Sequence, residues 1–139
     1  MRKTDDSARI PAFAHEGDSG LDIYSLEDTE LKPLERKLVR TGISIEMPQG
    51  VEAQVRPKSG LALEHGITLL NTPGTIDSSY RGEIKVLMVN LGDKAYRIEK
   101  NKKIAQLVFA RVEKPTLVEV DSLSDTARHD GGFGSTGLD

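Results

Sequence analysis

The stretch Ile84-Lys85-Val86-Leu87-Met88-Val89-Asn90-Leu91 decides how the chain folds. It is apolar on both parities apart from Lys85 and Asn90, which is the pattern of a central strand covered on both faces. Outward from it, helical spacing is scarce, and short alternating or apolar runs recur between Gly, Pro and Asn/Asp punctuation. Leu38–Met47 runs to the turn Pro48-Gln49-Gly50, and Val51-Glu52-Ala53-Gln54-Val55 then alternates as a half-buried strand should. Gly66-Ile67-Thr68-Leu69-Leu70 leads into Asn71-Thr72-Pro73-Gly74, a strong turn signal. Downstream, Ile104–Val112 reads as a long strand and Thr116–Val120 as a short one. Only Leu61–His65 invites a helix, of a single turn. The chain has no repeat with a period of about 20–50 residues, against a solenoid or propeller. The expectation is an all-β sandwich or barrel with at most one short helix.

Length and composition narrow the function. At 139 residues the chain suits one domain. It has no Cys, which removes disulfides, Cys-based metal centres and a thiol nucleophile. With 19 Lys+Arg against 22 Asp+Glu the net charge is −3, so nothing global draws the protein to nucleic acid or an anionic membrane. An anionic ligand must be held by a local cluster. The start MRKTDDSAR lacks a signal-peptide core and no apolar run nears the roughly 18 residues of a spanning helix, so a cytoplasmic protein is expected. His15, His65 and His129 lack zinc-site spacing, and no Ser-centred nucleophile elbow occurs.

The segment 124–139 differs from residues 1–123. Ser124–Asp130 is polar and Gly131-Gly132-Phe133-Gly134-Ser135-Thr136-Gly137 follows, too little apolar surface to order itself. Its Phe is one of only six aromatics in the chain, and flanking glycines let backbone approach a ligand. An aromatic ring with Arg128 upstream and Ser135-Thr136 downstream suits stacking on a base while polar groups meet phosphate. A mobile tail that closes over a nucleotide pocket in the β core is therefore expected.

Three other stretches carry chemistry. Arg56-Pro57-Lys58-Ser59-Gly60-Leu61-Ala62 combines a cation, a hydroxyl and glycine where a helical turn opens, as an anion site would, although taken alone the string favours a Ser N-cap with solvated charges. Gly74-Thr75-Ile76-Asp77-Ser78-Ser79-Tyr80-Arg81-Gly82 puts one carboxylate, one phenol and one guanidinium in a hairpin. A lone Asp there is usually a turn-former, but Ser78-Ser79 already supply turn chemistry, and a carboxylate beside apolar groups can orient or deprotonate a water. Gln106, inside the apolar strand that follows Lys100-Asn101-Lys102-Lys103, is either a satisfied core amide or a ligand contact.

In this order and spacing, these strings resemble the trimeric dUTP diphosphatases (deoxyuridine triphosphatases) over about Ile10 to Gly137. His15–Tyr24 is similar to the family's first motif, Lys58–Ala62 to the second and Gly74–Gly82 with the strand to Asn90 to the third. Lys103-Ile104-Ala105-Gln106-Leu107 is similar to the fourth and Arg128–Gly137 to the fifth. The resemblance implies a jelly-roll-like subunit in a homotrimer, with active sites at subunit boundaries, that hydrolyses dUTP to dUMP and pyrophosphate with Mg²⁺. It implies that Asp77 activates the attacking water and Tyr80 packs on the deoxyribose. Asn71 and the hairpin at Thr75, Ile76 and Asp77 read uracil, with Lys85 nearby. Lys58, Ser59, Gly60 and Gln106 meet the phosphates, and Asp22 supports that site from behind. Phe133 stacks on uracil, Arg128, Ser135 and Thr136 clasp the outer phosphates, and Gly134 binds the substrate. Mg²⁺ held mainly by the triphosphate needs no ligand set on the protein.

The chain departs from the family pattern where Lys58 and Lys103 replace Arg, keeping the charge and losing the planar fork. Two other readings are a relative that also deaminates dCTP and a regulatory protein that binds dUTP without turnover. The strand after Glu83 offers no carboxylate for deamination, and Asp77, Tyr80, Arg128 and Phe133 together favour catalysis.

Overall fold

The computed structural model describes residues 1–132 and Ser135. In chain order its elements are β1 (Arg2–Lys3), β2 (Leu21–Tyr24), β3 (Thr29–Leu31), β4 (Arg36–Arg40), β5 (Ile43–Ser44), β6 (Val51–Arg56), α1 (Ser59–His65), β7 (Ile67–Leu69), β8 (Gly74–Ile76), β9 (Lys85–Asn90), β10 (Tyr96–Ile98) and β11 (Lys103–Arg111). All pairings between these strands are antiparallel. One sheet has the order β2-β11-β6-β8 and another β4-β9-β7, while β1 pairs with β5 and β3 with β10.

The larger sheets share one core. Ile23, Ala53, Val55 and Leu107 from the first meet Val39, Ile67, Leu69, Val86 and Met88 from the second. Burying each of the larger side chains contributes about 1.5–3 kcal/mol, which holds the layers together. This is the expected all-β, jelly-roll-like sandwich with one short helix.

β9 is the central strand of its sheet, flanked by β4 (Val39↔Val86) and β7 (Leu69↔Met88). Its two polar residues have separate physical reasons. Lys85 is exposed at the strand's start, whereas Asn90 is fully buried and satisfied. The Asn90 amide donates to the carbonyls of Leu31 (2.9 Å) and Lys94 (2.8 Å) and accepts from the Gly92 N–H (2.8 Å). That amide ties β3 and the β9–β10 turn to the central strand.

Three local readings differ. Leu38–Met47 divides into β4 and β5 because Gly42 turns with φ +71°, and a Cβ there would press on Ala8 and Leu26. Its N–H donates to Glu83 Oε1 at 2.9 Å, and the Thr41 hydroxyl donates to the Ile84 carbonyl. The helix is longer than one turn and ends at Gly66, whose left-handed φ of 67° lets its N–H meet helix carbonyls. Thr116–Val120 forms no strand: Leu117, Val118 and Val120 are exposed, and no strand pairs with them among the described residues. From Glu113 to Asp130 the chain is exposed, without helix or strand. Among the described residues, no helix is long and apolar enough to cross a membrane.

Candidate active site

Two concave regions gather the predicted residues, one at each end of the four-stranded sheet. The first is built by the hairpin that follows β8. Register with β6 (Ala53↔Ile76, Gln54↔Thr75) carries the chain to the sheet edge at Asp77. There the Tyr80 N–H donates to the Asp77 carbonyl and turns the chain back toward β9. The result is a cavity of about 350 Å³ walled by Leu38, Thr75, Ile76, Asp77, Tyr80, Glu83 and Lys85. Five predicted residues meet in it.

Their environments differ. Asp77 is exposed, and among the described residues its carboxylate makes no side-chain hydrogen bond or ion pair. The Tyr80 hydroxyl donates to the Glu83 carbonyl at 3.0 Å, which fixes the ring across the hairpin. Gly82 makes that possible, since a Cβ there would collide with the phenol oxygen. Glu83 is committed elsewhere: its carboxylate accepts from Arg40 Nε at 3.2 Å and from the Gly42 N–H. Asn71 stands beside the cavity, its amide against the bare Cα of Gly74, where a Cβ would lie only 3.2 Å from Nδ2.

The second cavity, about 260 Å³, is walled by Ala14, Asp18, Ser19, Gly20, Asp22, Lys58, Ser59 and Gln106. β11 carries Gln106 between Asp22 of β2 and Arg56 of β6. The Gln106 amide donates to the Pro57 carbonyl at 3.1 Å and packs over Gly20, where any Cβ would strike its Oε1. Its amide nitrogen thus has a backbone partner, and the side chain forms part of the cavity wall. Lys58 occupies the N-cap position of α1 without a side-chain cap, so Ser59 is the first helical residue and is not the cap.

Asp22 is the electrostatic centre of this end. Its side chain is only 4% exposed, with Lys58 Nζ 2.5 Å from Oδ1 and Lys103 Nζ 2.6 Å from Oδ2. Burial pushes the carboxyl up; the ion pairs with Lys103 and Lys58, the latter also a hydrogen bond, outweigh this and hold it below the usual value. The same carboxylate raises Lys103 above the ordinary lysine range.

The remaining predicted residues do not join these groups. Gly60 is exposed on α1, away from the second cavity's wall. Arg128 is exposed and donates to the Gly131 carbonyl at 2.8 Å; neither it nor Ser135 lines a cavity described here. Phe133, Gly134 and Thr136 lie outside the described residues. Sequence reasoning assigned no contact role to Leu38, Ala14, Asp18, Ser19 or Gly20, although the last three belong to the first motif. It also missed that Lys103 shares Asp22 with Lys58. No local spacing signals that pairing, since Lys103 and Asp22 meet only through the sheet.

A family model described as dUTPase matches residues 6–137. The chain belongs to the dUTPase family. A deoxyuridine 5'-triphosphate nucleotidohydrolase of Clostridium kluyveri is 57% identical over 99% of this chain and 96% of that protein. The one from Clostridium novyi is 54% identical over 99% and 97%. Among solved structures, Staphylococcus bacteriophage 80alpha dUTPase with dUPNHPP superimposes with a TM-score of 0.92 at 27% identity, covering 99% of this chain and 96% of that one. In this dUTPase chain, Lys58 and Lys103 converge on one buried carboxylate.

Proposed function

We propose that this chain is an active dUTP diphosphatase, hydrolysing dUTP to dUMP and pyrophosphate. The observation that carries the reading is the cavity that joins an uncommitted Asp77 carboxylate to Tyr80, Thr75, Ile76 and Lys85, in a chain of the dUTPase family. Asp77 orients a water and takes its proton as the water oxygen bonds to the α-phosphorus. The bond from the α-phosphorus to the oxygen bridging to the β-phosphorus breaks, and pyrophosphate leaves with that electron pair. Tyr80 packs on the deoxyribose and leaves no room for a 2′-hydroxyl. Asn71 and the backbone at 75–77 pair with uracil's edge, where cytosine would leave buried polar groups unmatched. Lys58, Ser59, Gly60 and Gln106 bind phosphates, with Asp22 behind Lys58. Positioning and charge stabilisation supply most of the catalysis.

The two cavities share no wall residue, and the strand register puts Asp77 and Gln106 about 13 Å apart along the strands and about 10 Å apart across them. This supports a homotrimer in which the phosphate cradle of one copy faces the hairpin of another. The core 1–123 carries both half-sites, and the tail 124–139 closes over them, with Phe133 stacking on uracil, Arg128, Ser135 and Thr136 clasping phosphates, and Gly134 binding the substrate. Mg²⁺ fits the second cavity as an ion carried by the triphosphate, beside the wall carboxylate of Asp18, which accepts from the His15 N–H and has no ammonium partner among the described residues. When bound it would offset phosphate charge and order the phosphate chain. We place the protein in the cytoplasm, with no nucleic-acid or membrane partner, limiting uracil in DNA and supplying dUMP for thymidylate synthesis.

Pyrophosphate release with Mg²⁺, compared across dUTP, dCTP, dTTP and UTP, tests this. Release from dUTP alone is expected. Equal release from UTP or dCTP overturns the assigned selectivity, and release from none overturns the catalytic reading in favour of a dUTP-binding protein.

A further inference from the structure

Lys103 does not line the second cavity, yet it holds one oxygen of Asp22 while Lys58, which does line it, holds the other. A buried carboxylate with a single ammonium partner would retain that partner, since its departure leaves an uncompensated buried charge. The second ammonium changes this. Asp22 keeps a partner when Lys58 turns away, and the three groups together carry one net positive charge.

The strand itself is built to deliver Lys103 there. The register of β11 against β2 shifts between Lys103 and Ala105, so Ile104 and Ala105 are both buried. In a regular strand Lys103 would share the core-facing side of Ala105; the bulge re-aims it to the side of Gln106 and Asp22. Arg9, the other cation close by, stacks its guanidinium 4.0 Å over the Tyr24 ring.

We infer that Lys103 is a positioning residue for phosphate binding: by holding Asp22 it releases the Lys58 ammonium to the substrate's phosphates without touching the substrate itself. The identity of that substrate rests on the dUTP diphosphatase reading; the clamp rests on the geometry of the three side chains.

The test compares Lys103→Met, Lys103→Arg and the double variant Asp22→Asn/Lys103→Met with the unaltered protein, after melting curves confirm folding. Losing one charge near the phosphates raises the dUTP KM of Lys103→Met roughly three- to thirtyfold, with kcat changing far less. Lys103→Arg stays near the unaltered protein. The double variant recovers most of the lost affinity, because removing the carboxylate also frees Lys58; a merely structural role for Lys103 predicts no such rescue. An unchanged KM in Lys103→Met, or a double variant no better than the single one, overturns the inference. Calorimetric binding of inorganic tripolyphosphate to the same four proteins separates the two claims. If the unaltered protein releases no pyrophosphate from dUTP, the functional reading fails, while loss of tripolyphosphate affinity in Lys103→Met and its return in the double variant still support the clamp.

Discussion

Asp77 and Asp22 sit at opposite ends of the same four-stranded sheet and illustrate two uses of one functional group. Asp77 is exposed at a hairpin, free of side-chain partners among the described residues. Asp22 is buried and held by two ammonium groups within 2.6 Å. A carboxylate that accepts a proton during reaction must be reachable and uncommitted. One that fixes cations must be neither. The contrast makes Asp77 the candidate base and leaves Asp22 as the anchor of Lys58 and Lys103, although both are aspartates beside apolar residues.

The strongest way to break the contrast is Asp77→Asn, which should lower kcat by about 10²–10⁴ while dUTP still binds. Near-normal turnover in a pyrophosphate assay would remove Asp77 from the chemistry. Deleting residues 124–139 should lower kcat/KM by about a hundredfold through loss of positioning, with little change in the melting temperature of the core; full activity after truncation would refute tail closure. Tyr80→Ala should raise UTP turnover relative to dUTP by about tenfold. Gly82→Ala should move the same ratio in the same direction by displacing the phenol, and identical ratios in both variants and the unaltered protein would exclude a sugar gate.

A sharper contrast comes from acid. The folded pKa of Asp22 lies below its ordinary value, so its contribution to stability is present above the usual carboxylate range and is lost as pH falls through the lowered value. Urea midpoints of the unaltered protein should therefore fall more steeply below about pH 4 than those of Asp22→Asn; parallel curves would show that the clamp adds nothing to folding. The smallest effect is expected from Lys58→Arg, a change of a few-fold in dUTP KM from the altered fork geometry, and unchanged kinetics would show that the substitution does not matter.

Much of the fold was legible because it depends on local pattern. Ile84–Leu91 announced a central strand by being apolar on both parities, and Val51–Val55 a half-buried one by alternating. Thr75, Ile76, Asp77, Tyr80 and Lys85 line one cavity because turn and strand bring near neighbours together. What failed depended on partners distant in sequence. Thr116–Val120 has strand composition, but composition does not provide a neighbouring edge. Gly42 looked like a residue within one run, whereas Glu83, 41 positions away, fixes the break there. The bulge that sends Lys103 to Asp22 depends on registry with β2, and no spacing within Lys100–Lys103 encodes it.

The two separate half-cavities have a consequence in genetics. If catalysis needs the cradle of one copy and the hairpin of another, then a chain carrying Asp77→Asn and a chain with a disabled Lys58, each inactive alone, should complement when co-expressed. Random mixing restores roughly a quarter of the sites, since each intact site draws one sound half from each parent in a closed ring. Two recessive lesions at the two ends of one sheet would then behave as though they lay in different genes.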